Sequence, residues 1–310
     1  MSNFARFKRS NHTAHEEVAF CGIKDNPLTS HSIFNLSGQL VKLQYPAVMG
    51  ILNLSPDSFY STSVITEESL LEQRIRKMLD EGADILDIGA ASSKQGSKPI
   101  PVEIETERIA KAVKIARQIS PEVLISVDTY RASVAAKGLE LGASMINDIS
   151  AGRLDDAMVP LVKSSGVPYI IMHMRGTPED MNSTQNLVYN DLAADLIRFF
   201  AERIHFLNQE GIHQLIIDPG FGFSKNVQLN FELLRQLELF RILDAPILVG
   251  LSRKSMIFKT LQTEPGKALN GSIAAHTIAL MNGADILRVH DVAEAKETVA
   301  IFKAYKNLTQ

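Results

Sequence analysis

The chain has 310 residues, 45% of them hydrophobic, and a formal net charge of −3. The acidic balance argues against a nucleic-acid partner, which a basic surplus would favour, and no apolar run reaches the roughly 18 residues of a membrane span. The one cysteine, Cys21, excludes an intrachain disulfide and favours a reducing compartment, so we expect a cytoplasmic protein without a membrane partner.

The N-terminal segment differs from the rest of the chain. We expect residues 1–33 to form a loosely ordered extension and residues 34–310 to form a single domain. The stretch FNLSGQLVKL, around Ser37 and Gly38, predicts a small hairpin that would close the bottom of that domain.

Eight short runs follow, each rich in Ile, Val, Leu or Met and apolar on both faces until its end. Such runs are typical of buried parallel strands. They cover residues 47–53, 83–89, 123–129, 144–150, 169–174, 214–220, 246–254 and 284–290. Segments with helical spacing separate them. The triplet GAD, at Gly82 and again at Gly283, places a glycine before a strand, where it can end a helix in the left-handed conformation.

Eight alternations of strand and helix predict an α/β fold, namely a single (β/α)8 TIM barrel with a short N-terminal hairpin extension. The alternative is an open doubly wound sheet. We favour the barrel because no G-x-G-x-x-G sequence follows the first strand.

The active site of such a barrel lies at the carboxyl ends of its strands. The polar residues at these ends are Asn53, Asp87, Asp128, Asn147, Asp148, Asp218, Ser252, Arg253, Lys254, Arg288 and His290. Buried polar groups cost free energy unless they are paired. A bound ligand that pairs them would explain so many polar groups on one rim.

The types of these residues indicate the chemistry of the ligand. Asp128, Asn147 and Asp218 offer acceptors to a flat heterocycle with several N–H donors, although each could instead cap a helix. Lys254 and Ser255 offer a cation and a hydroxyl to an anion, or form a solvated helix start. Arg288 and His290 share a face of one strand and could hold a phosphate with Asn53, whose amide oxygen also suits Mg²⁺.

The segment DPGFGF is rich in glycine directly after a strand. Gly220 and Gly222 would let the backbone approach a ligand closely, with Phe223 over it, or would simply form a tight turn. Met172 is interpreted as an apolar floor for the heterocycle, and His173 as a structural residue.

Seven segments carry a family resemblance: MGILNLSPDSF, ISVDT, INDIS, MHMRG, DPGFGF, GLSRKSMI and RVHDV. In this order they resemble the dihydropteroate synthases, the pterin-binding barrel enzymes of folate biosynthesis, from about Phe34 to the C-terminus. The resemblance implies a transferase that condenses 6-hydroxymethyl-7,8-dihydropterin pyrophosphate with p-aminobenzoate to give 7,8-dihydropteroate and pyrophosphate. It also implies a Mg²⁺ cofactor and a homodimer formed through outer helices.

The resemblance further implies a role for each matching residue. The pterin would be bound by Asp128, Asn147, Asp218 and Lys254, with Met172 packed on its ring. The pyrophosphate would be bound by Asn53, Ser93, Arg288 and His290, with Asn53 also a ligand of Mg²⁺. The p-aminobenzoate pocket would be formed by Phe59, Phe223, Lys254 and Ser255. The catalytic residues would be Asp128, Lys254, Arg288 and His290.

Two loops depart from the family pattern. Residues 60–63 read YSTS where the family continues with Asp-Gly-Gly, and residues 92–96 read SSKQG where it has Ser-Thr-Arg-Pro-Gly. Lys94 keeps the charge of the family arginine but not its planar fork, and Gln95 replaces a stiff proline. We therefore expect an altered p-aminobenzoate end and hypothesise an altered sensitivity to sulfonamides, which mimic p-aminobenzoate.

Three other functions are compatible with parts of this pattern. A paralogue could bind pterins without catalysing the condensation. A pterin-barrel methyltransferase could move a methyl group from a folate to a corrinoid, but it would not need the anion-binding cluster of SRKS and RVH. A barrel with an unrelated phosphorylated substrate would explain Arg288 and His290 but not the order of all seven segments.

Overall fold

An antiparallel hairpin forms the first part of the fold. The computed structural model describes residues 31–36, 39–54, 64–91 and 100–307. The hairpin pairs His31–Leu36 (β1) with Gln39–Gln44 (β2). The strand β1 begins three residues before the predicted start of the domain at residue 34. Residues 1–30 of the predicted extension, and the predicted turn residues Ser37 and Gly38, lie outside the described residues.

Eight parallel strands form the barrel. They are Ala47–Asn53 (β3), Ile85–Gly89 (β4), Leu124–Asp128 (β5), Met145–Asp148 (β6), Tyr169–Met172 (β7), Leu215–Asp218 (β8), Leu248–Val249 (β9) and Ile286–Val289 (β10). Their order is β8-β7-β6-β5-β4-β3-β10-β9. A parallel bridge between Ile217 and Ile247 joins β8 to β9 and closes the sheet. The barrel prediction is confirmed, and the open doubly wound sheet is excluded.

The strand β9 is shorter than the run 246–254 predicts. The backbone N–H of Lys254 donates to the Leu251 carbonyl, at 3.1 Å. The chain therefore turns after Val249, and Ser252, Arg253 and Lys254 lie in a loop rather than on a strand.

Helices separate the strands and cover the outside of the barrel. They are Val64–Asp80 (α1), Val102–Ile119 (α2), Ala132–Glu140 (α3), Met158–Ser165 (α4), Leu192–Gln209 (α5), Val227–Arg235 (α6), Ser255–Thr260 (α7), Leu269–Met281 (α8) and Val292–Tyr305 (α9). Local sequence sets some of their ends: the Asp191 side chain caps α5 and the Asn226 side chain caps α6. Gly82 and Gly283 both have positive φ, 89° and 97°, as predicted for helix stops.

The strands divide their side chains between two sides of the barrel wall. On β4, Leu86 and Ile88 pack outward with the helices, whereas Ile85 points inward. An inner apolar layer contains Ile85, Leu124, Met145, Ile170, Ile216, Leu248 and Ile286. Phe34 and Leu43 of the hairpin join this layer, so the hairpin closes the bottom of the barrel as expected. None of the described helices combines the length and apolar character needed to span a bilayer.

Candidate active site

A cavity of about 580 Å³ opens at the carboxyl ends of the barrel strands. Seven of the residues to which the resemblance gives a role line it together: Asn53, Asp128, Phe223, Lys254, Ser255, Arg288 and His290. They come from β3, β5 and β10, from the loops after β8, β9 and β10, and from the first residue of α7. The strand ends therefore bring into one pocket the groups that the sequence places up to 237 residues apart, from Asn53 to His290.

Three other predicted residues lie deeper than the wall of this cavity. Asn147, Met172 and Asp218 are 4%, 2% and 7% exposed. Met172 packs with Met174 and Met181 against Phe223. Two further predicted residues, Phe59 and Ser93, lie outside the described residues, as do the divergent loops 60–63 and 92–96.

Arg288 links two carboxylates. Its Nε donates to Asp87 Oδ2 at 2.5 Å, and its Nη2 hydrogen-bonds Asp128 Oδ2. Burial alone would lower the pKa of Arg288, but the charges of Asp87 and Asp128 raise it above its usual value. The guanidinium is therefore a fixed positive charge beside the cavity.

Asp128 titrates near neutral pH. Burial raises the pKa of its carboxyl to about 7. The positive charge of Arg288 opposes this rise, and the negative charge of Asp87 adds to it. Asp128 thus has a perturbed pKa in the cavity, which is typical of functional sites.

Lys254 precedes α7 and lies across the loop after β8. Its Nζ donates to the Phe221 carbonyl and lies 5.0 Å from the centre of the Phe223 ring. Burial lowers the pKa of Lys254 to about 8, although the negative charge of Asp218 opposes the shift. Burial in turn raises the pKa of Asp218, and the charge of Lys254 opposes that rise.

His290 is neutral at pH 7. Burial lowers its pKa to about 4, with a further decrease from the charge of Arg288. Its Nδ1 lies 3.1 Å from the Ser252 hydroxyl, and its backbone N–H donates to the same oxygen at 3.2 Å. Asp291 binds Arg253 through two contacts of 2.9 Å, which fix the loop after β9 against the end of β10.

The loop after β8 is held by the protein itself. A Cβ at Gly220, where φ is 75°, would lie 2.1 Å from the His173 carbonyl, and a Cβ at Gly222 would lie 3.1 Å from Lys254 Cδ. The His173 carbonyl accounts for a glycine at position 220, whereas Gly222 also lines the cavity. The approach of this backbone to a ligand stays a prediction. Lys225 adds to the loop's anchoring, since its Nζ donates to the carbonyls of Gly220 and Phe223 at 3.1 and 3.0 Å.

His173 belongs to the packing around this loop. Its Nδ1 lies 3.3 Å from Lys225 Nζ, and its ring meets Phe199 edge-on at 5.0 Å between ring centres. Burial and the charge of Lys225 lower the pKa of His173, so the ring is neutral. These contacts agree with the structural role predicted for His173.

Sequence reasoning missed two parts of the site. Asp87 was recognised only as a strand end, although it lies two residues after the inward Ile85 and must share its face. Met181 and Asn182 line the cavity from the long connection between β7 and α5. That connection shows no periodic pattern. Arg175 anchors it, with its backbone N–H 2.8 Å from the Ser224 hydroxyl.

Comparisons with known proteins place the chain in a family. The model of the family described as "Pterin binding enzyme" matches residues 49–290. The dihydropteroate synthase of Escherichia coli strain K12 is 39% identical over 271 residues, which cover 86% of this chain and 94% of that protein. The dihydropteroate synthase of a Synechocystis strain is 39% identical over 249 residues, which cover 79% of this chain and 85% of that protein.

Solved structures extend this similarity to the fold. The Xanthomonas albilineans dihydropteroate synthase with 4-aminobenzoic acid has a TM-score of 0.82 at 35% identity, covering 89% of this chain and 98% of that one. The same enzyme in complex with 7,8-dihydropteroate has a TM-score of 0.79 at 34% identity, covering 89% and 99%. The Yersinia pestis enzyme in a sulfonamide drug complex has a TM-score of 0.81 at 36% identity, covering 90% and 100%. This chain therefore belongs to the pterin-binding enzyme family, the family of the dihydropteroate synthases.

Proposed function

We propose that this chain is a dihydropteroate synthase, a transferase of folate biosynthesis. It condenses 6-hydroxymethyl-7,8-dihydropterin pyrophosphate with p-aminobenzoate and releases 7,8-dihydropteroate and pyrophosphate. The observation that carries this proposal is that Asp128, Lys254 and Arg288 line one cavity in a chain 39% identical to the Escherichia coli enzyme.

The pterin ring is assigned to the deep side of the cavity. Asp128, Asn147 and Asp218 supply acceptors for its N–H groups, with Lys254 beside Asp218 and Met172 packed on the ring. Since Asn147 and Asp218 are almost fully buried, the ring must reach into the barrel to meet them. Carboxylates around the ring stabilise the positive charge that develops when the C–O bond to pyrophosphate breaks.

The pyrophosphate is assigned to Arg288, His290, Asn53 and Ser93. Arg288 is the fixed charge of this group, and the neutral His290 supplies a hydrogen bond. By the resemblance, a Mg²⁺ ion would be held by the amide oxygen of Asn53 together with phosphate oxygens. Such a shared site suits Mg²⁺, and the bound ion would neutralise part of the charge on the leaving pyrophosphate.

The p-aminobenzoate is assigned to Phe223, Lys254, Ser255 and Phe59. Lys254 lies over the Phe223 ring and supplies a cation for the carboxylate, while the ring supplies an apolar wall for the arene. The arylamine attacks the exposed methylene carbon of the pterin directly. No protein nucleophile takes part, so the rate comes from positioning and electrostatics.

The proposal also covers assembly and location. The helix α8 contains no Asp, Glu, Lys or Arg, and its outer residues Ile278 and Met281 are 47% and 43% exposed. Exposed apolar side chains that lie together are typical of an interaction surface, which supports a homodimer formed through this outer helix. The single Cys21 of the sequence supports a cytoplasmic location.

A second candidate function is a paralogue that binds pterin pyrophosphate without the condensation. The observation that favours it is the divergence of residues 60–63 and 92–96, which affects the p-aminobenzoate side. A methyltransferase is disfavoured because it would not need Arg288 and His290 as an anion site.

The test is pyrophosphate release by the purified protein, given Mg²⁺ and the pterin pyrophosphate, with and without p-aminobenzoate. Release that depends on p-aminobenzoate would support the synthase. Binding of the pterin pyrophosphate without such release would favour the paralogue and locate the defect in the two divergent loops.

A further inference from the structure

Asp87 is a buried carboxylate to which neither the sequence motifs nor the proposed reaction gives a role. It lies on β4, two residues after Ile85, and has no exposed surface. Gly89 is the residue of the same strand that lines the cavity. Asp87 therefore lies one layer below Gly89 and does not line the cavity.

Its contacts point to two residues of the site. Arg288 Nε donates to Asp87 Oδ2 at 2.5 Å, and Asn147 Nδ2 lies 3.3 and 3.4 Å from the two carboxylate oxygens. A buried negative charge with no exposed surface is tolerated only where such donors compensate it.

The contact with Arg288 restricts the guanidinium. Its Nε is engaged by Asp87 and its Nη2 by Asp128. A planar guanidinium held at two of its nitrogens has little freedom to rotate. Its remaining N–H groups are thus held for an anion in the cavity that Arg288 lines.

The contact with Asn147 sets the direction of its amide. Because a carboxylate only accepts hydrogen bonds, the NH₂ group of Asn147 must face Asp87. The amide oxygen is then left to accept a hydrogen bond from a ligand. An acceptor is what the N–H groups of a pterin require.

We propose that Asp87 is a positioning residue of the site, which orients Arg288 for the pyrophosphate group and Asn147 for the pterin. This inference rests on the proposed function and adds a residue that touches neither substrate. The negative charge of Asp87 also acts on Asp128, whose pKa it raises. Other charged groups also act on Asp128, namely Arg288, Glu105, Asp148 and Lys254.

The first test is Asp87→Asn, compared with Asp84→Asn. Asp84 precedes the same strand at the opposite end of the barrel and pairs with Lys296 at 3.0 Å, so its variant also loses an ion pair. We expect Asp87→Asn to lower kcat/KM for the pterin pyrophosphate about 100-fold, the scale of a misplaced reacting group. The KM for p-aminobenzoate should change little, and Asp84→Asn should leave both constants unchanged.

A readout of pH separates positioning from simple support of the fold. Removing the negative charge of Asp87 lowers the pKa of Asp128. The acid limb of the pH profile of kcat/KM should therefore move to lower pH in Asp87→Asn. The limb should not move in Asp84→Asn. An unmoved limb in a folded Asp87→Asn variant, or kcat/KM equal to that of the wild type, would overturn the proposal.

A second variant covers the case in which Asp87→Asn fails to fold. The double variant Asp87→Asn/Arg288→Gln carries neither charge of the pair and is compared with Arg288→Gln alone. If Asp87 acts through Arg288, removing Asp87 costs little once Arg288 is gone, so the two variants should have similar kcat/KM for the pterin pyrophosphate. A double variant far less active than Arg288→Gln would contradict a role through Arg288. If the wild type shows no p-aminobenzoate-dependent turnover, the proposed function fails instead. The role of Asp87 is then tested by measuring the affinity of wild type and Asp87→Asn for the pterin pyrophosphate as a function of pH.

Discussion

Replacing Asp218 by asparagine should weaken pterin binding while the protein remains folded. Asp218 Oδ1 accepts the Gly220 N–H at 2.8 Å, and asparagine keeps an oxygen for that bond. The lost feature is the negative charge beside Lys254. A hydrogen bond to a charged group contributes about 1.5–3 kcal/mol, so we expect the affinity for the pterin pyrophosphate to fall roughly 10- to 150-fold.

The matched control is Asp285→Asn. Asp285 is also a buried carboxylate that accepts a backbone N–H, from Ile247 at 2.8 Å, but it precedes β10 at the opposite end of the barrel. Titration calorimetry with the pterin pyrophosphate and Mg²⁺ compares both variants with the wild type. Affinities within a factor of about two for a folded Asp218→Asn would refute the assignment of this carboxylate to the pterin, since the expected effect is at least about tenfold.

Three other predictions concern the loop after β8, the titration of the site and the assembly. Gly220→Ala should lower the free energy of unfolding by more than Gly211→Ala in urea denaturation, because both positions have positive φ but only Gly220 would place a Cβ against a backbone carbonyl. Gly211→Ala should lower the free energy of unfolding by about 1–2 kcal/mol. An equal decrease in both variants would show that the Gly220→Ala chain shifts to relieve the contact with the carbonyl. Because the pKa of Asp128 is raised to about 7, the affinity for the pterin pyrophosphate, measured by calorimetry, should fall as the pH drops through 7. Asp128→Asn should remove that pH dependence. The same pH dependence in Asp128→Asn would assign it to another group. Ile278→Lys on α8 should give a monomer by light scattering whereas Leu40→Lys on the hairpin should not, and a dimeric Ile278→Lys would locate the interface elsewhere.

The barrel could be predicted because its strands are buried on both faces. Runs such as residues 83–89 are apolar until their last residues, and this pattern distinguishes a parallel barrel strand from a half-exposed one. The rim residues could be predicted for the same reason, since a polar residue such as Asp128 at the end of an apolar run marks the carboxyl end of a strand. The hairpin was predictable from its turn sequence.

The missed features depend on contacts between residues that are far apart in the sequence, which a local sequence pattern does not show. Asp87 is one layer deeper than the other strand ends, and its partner Arg288 is 201 residues away. Met181 and Asn182 reach the cavity because Arg175 and Ser224 tie two loops together. Gly220 combines a positive φ with a close approach to the His173 carbonyl, a contact that only the folded chain reveals.

The most direct test of the account is the stoichiometry of the reaction. The purified protein is given the pterin pyrophosphate, p-aminobenzoate and Mg²⁺, and 7,8-dihydropteroate is quantified by mass spectrometry beside the released pyrophosphate. The account predicts one dihydropteroate for each pyrophosphate and a loss of both in Arg288→Gln. Pyrophosphate release without dihydropteroate would show transfer to water rather than to the arylamine and would contradict the proposed function.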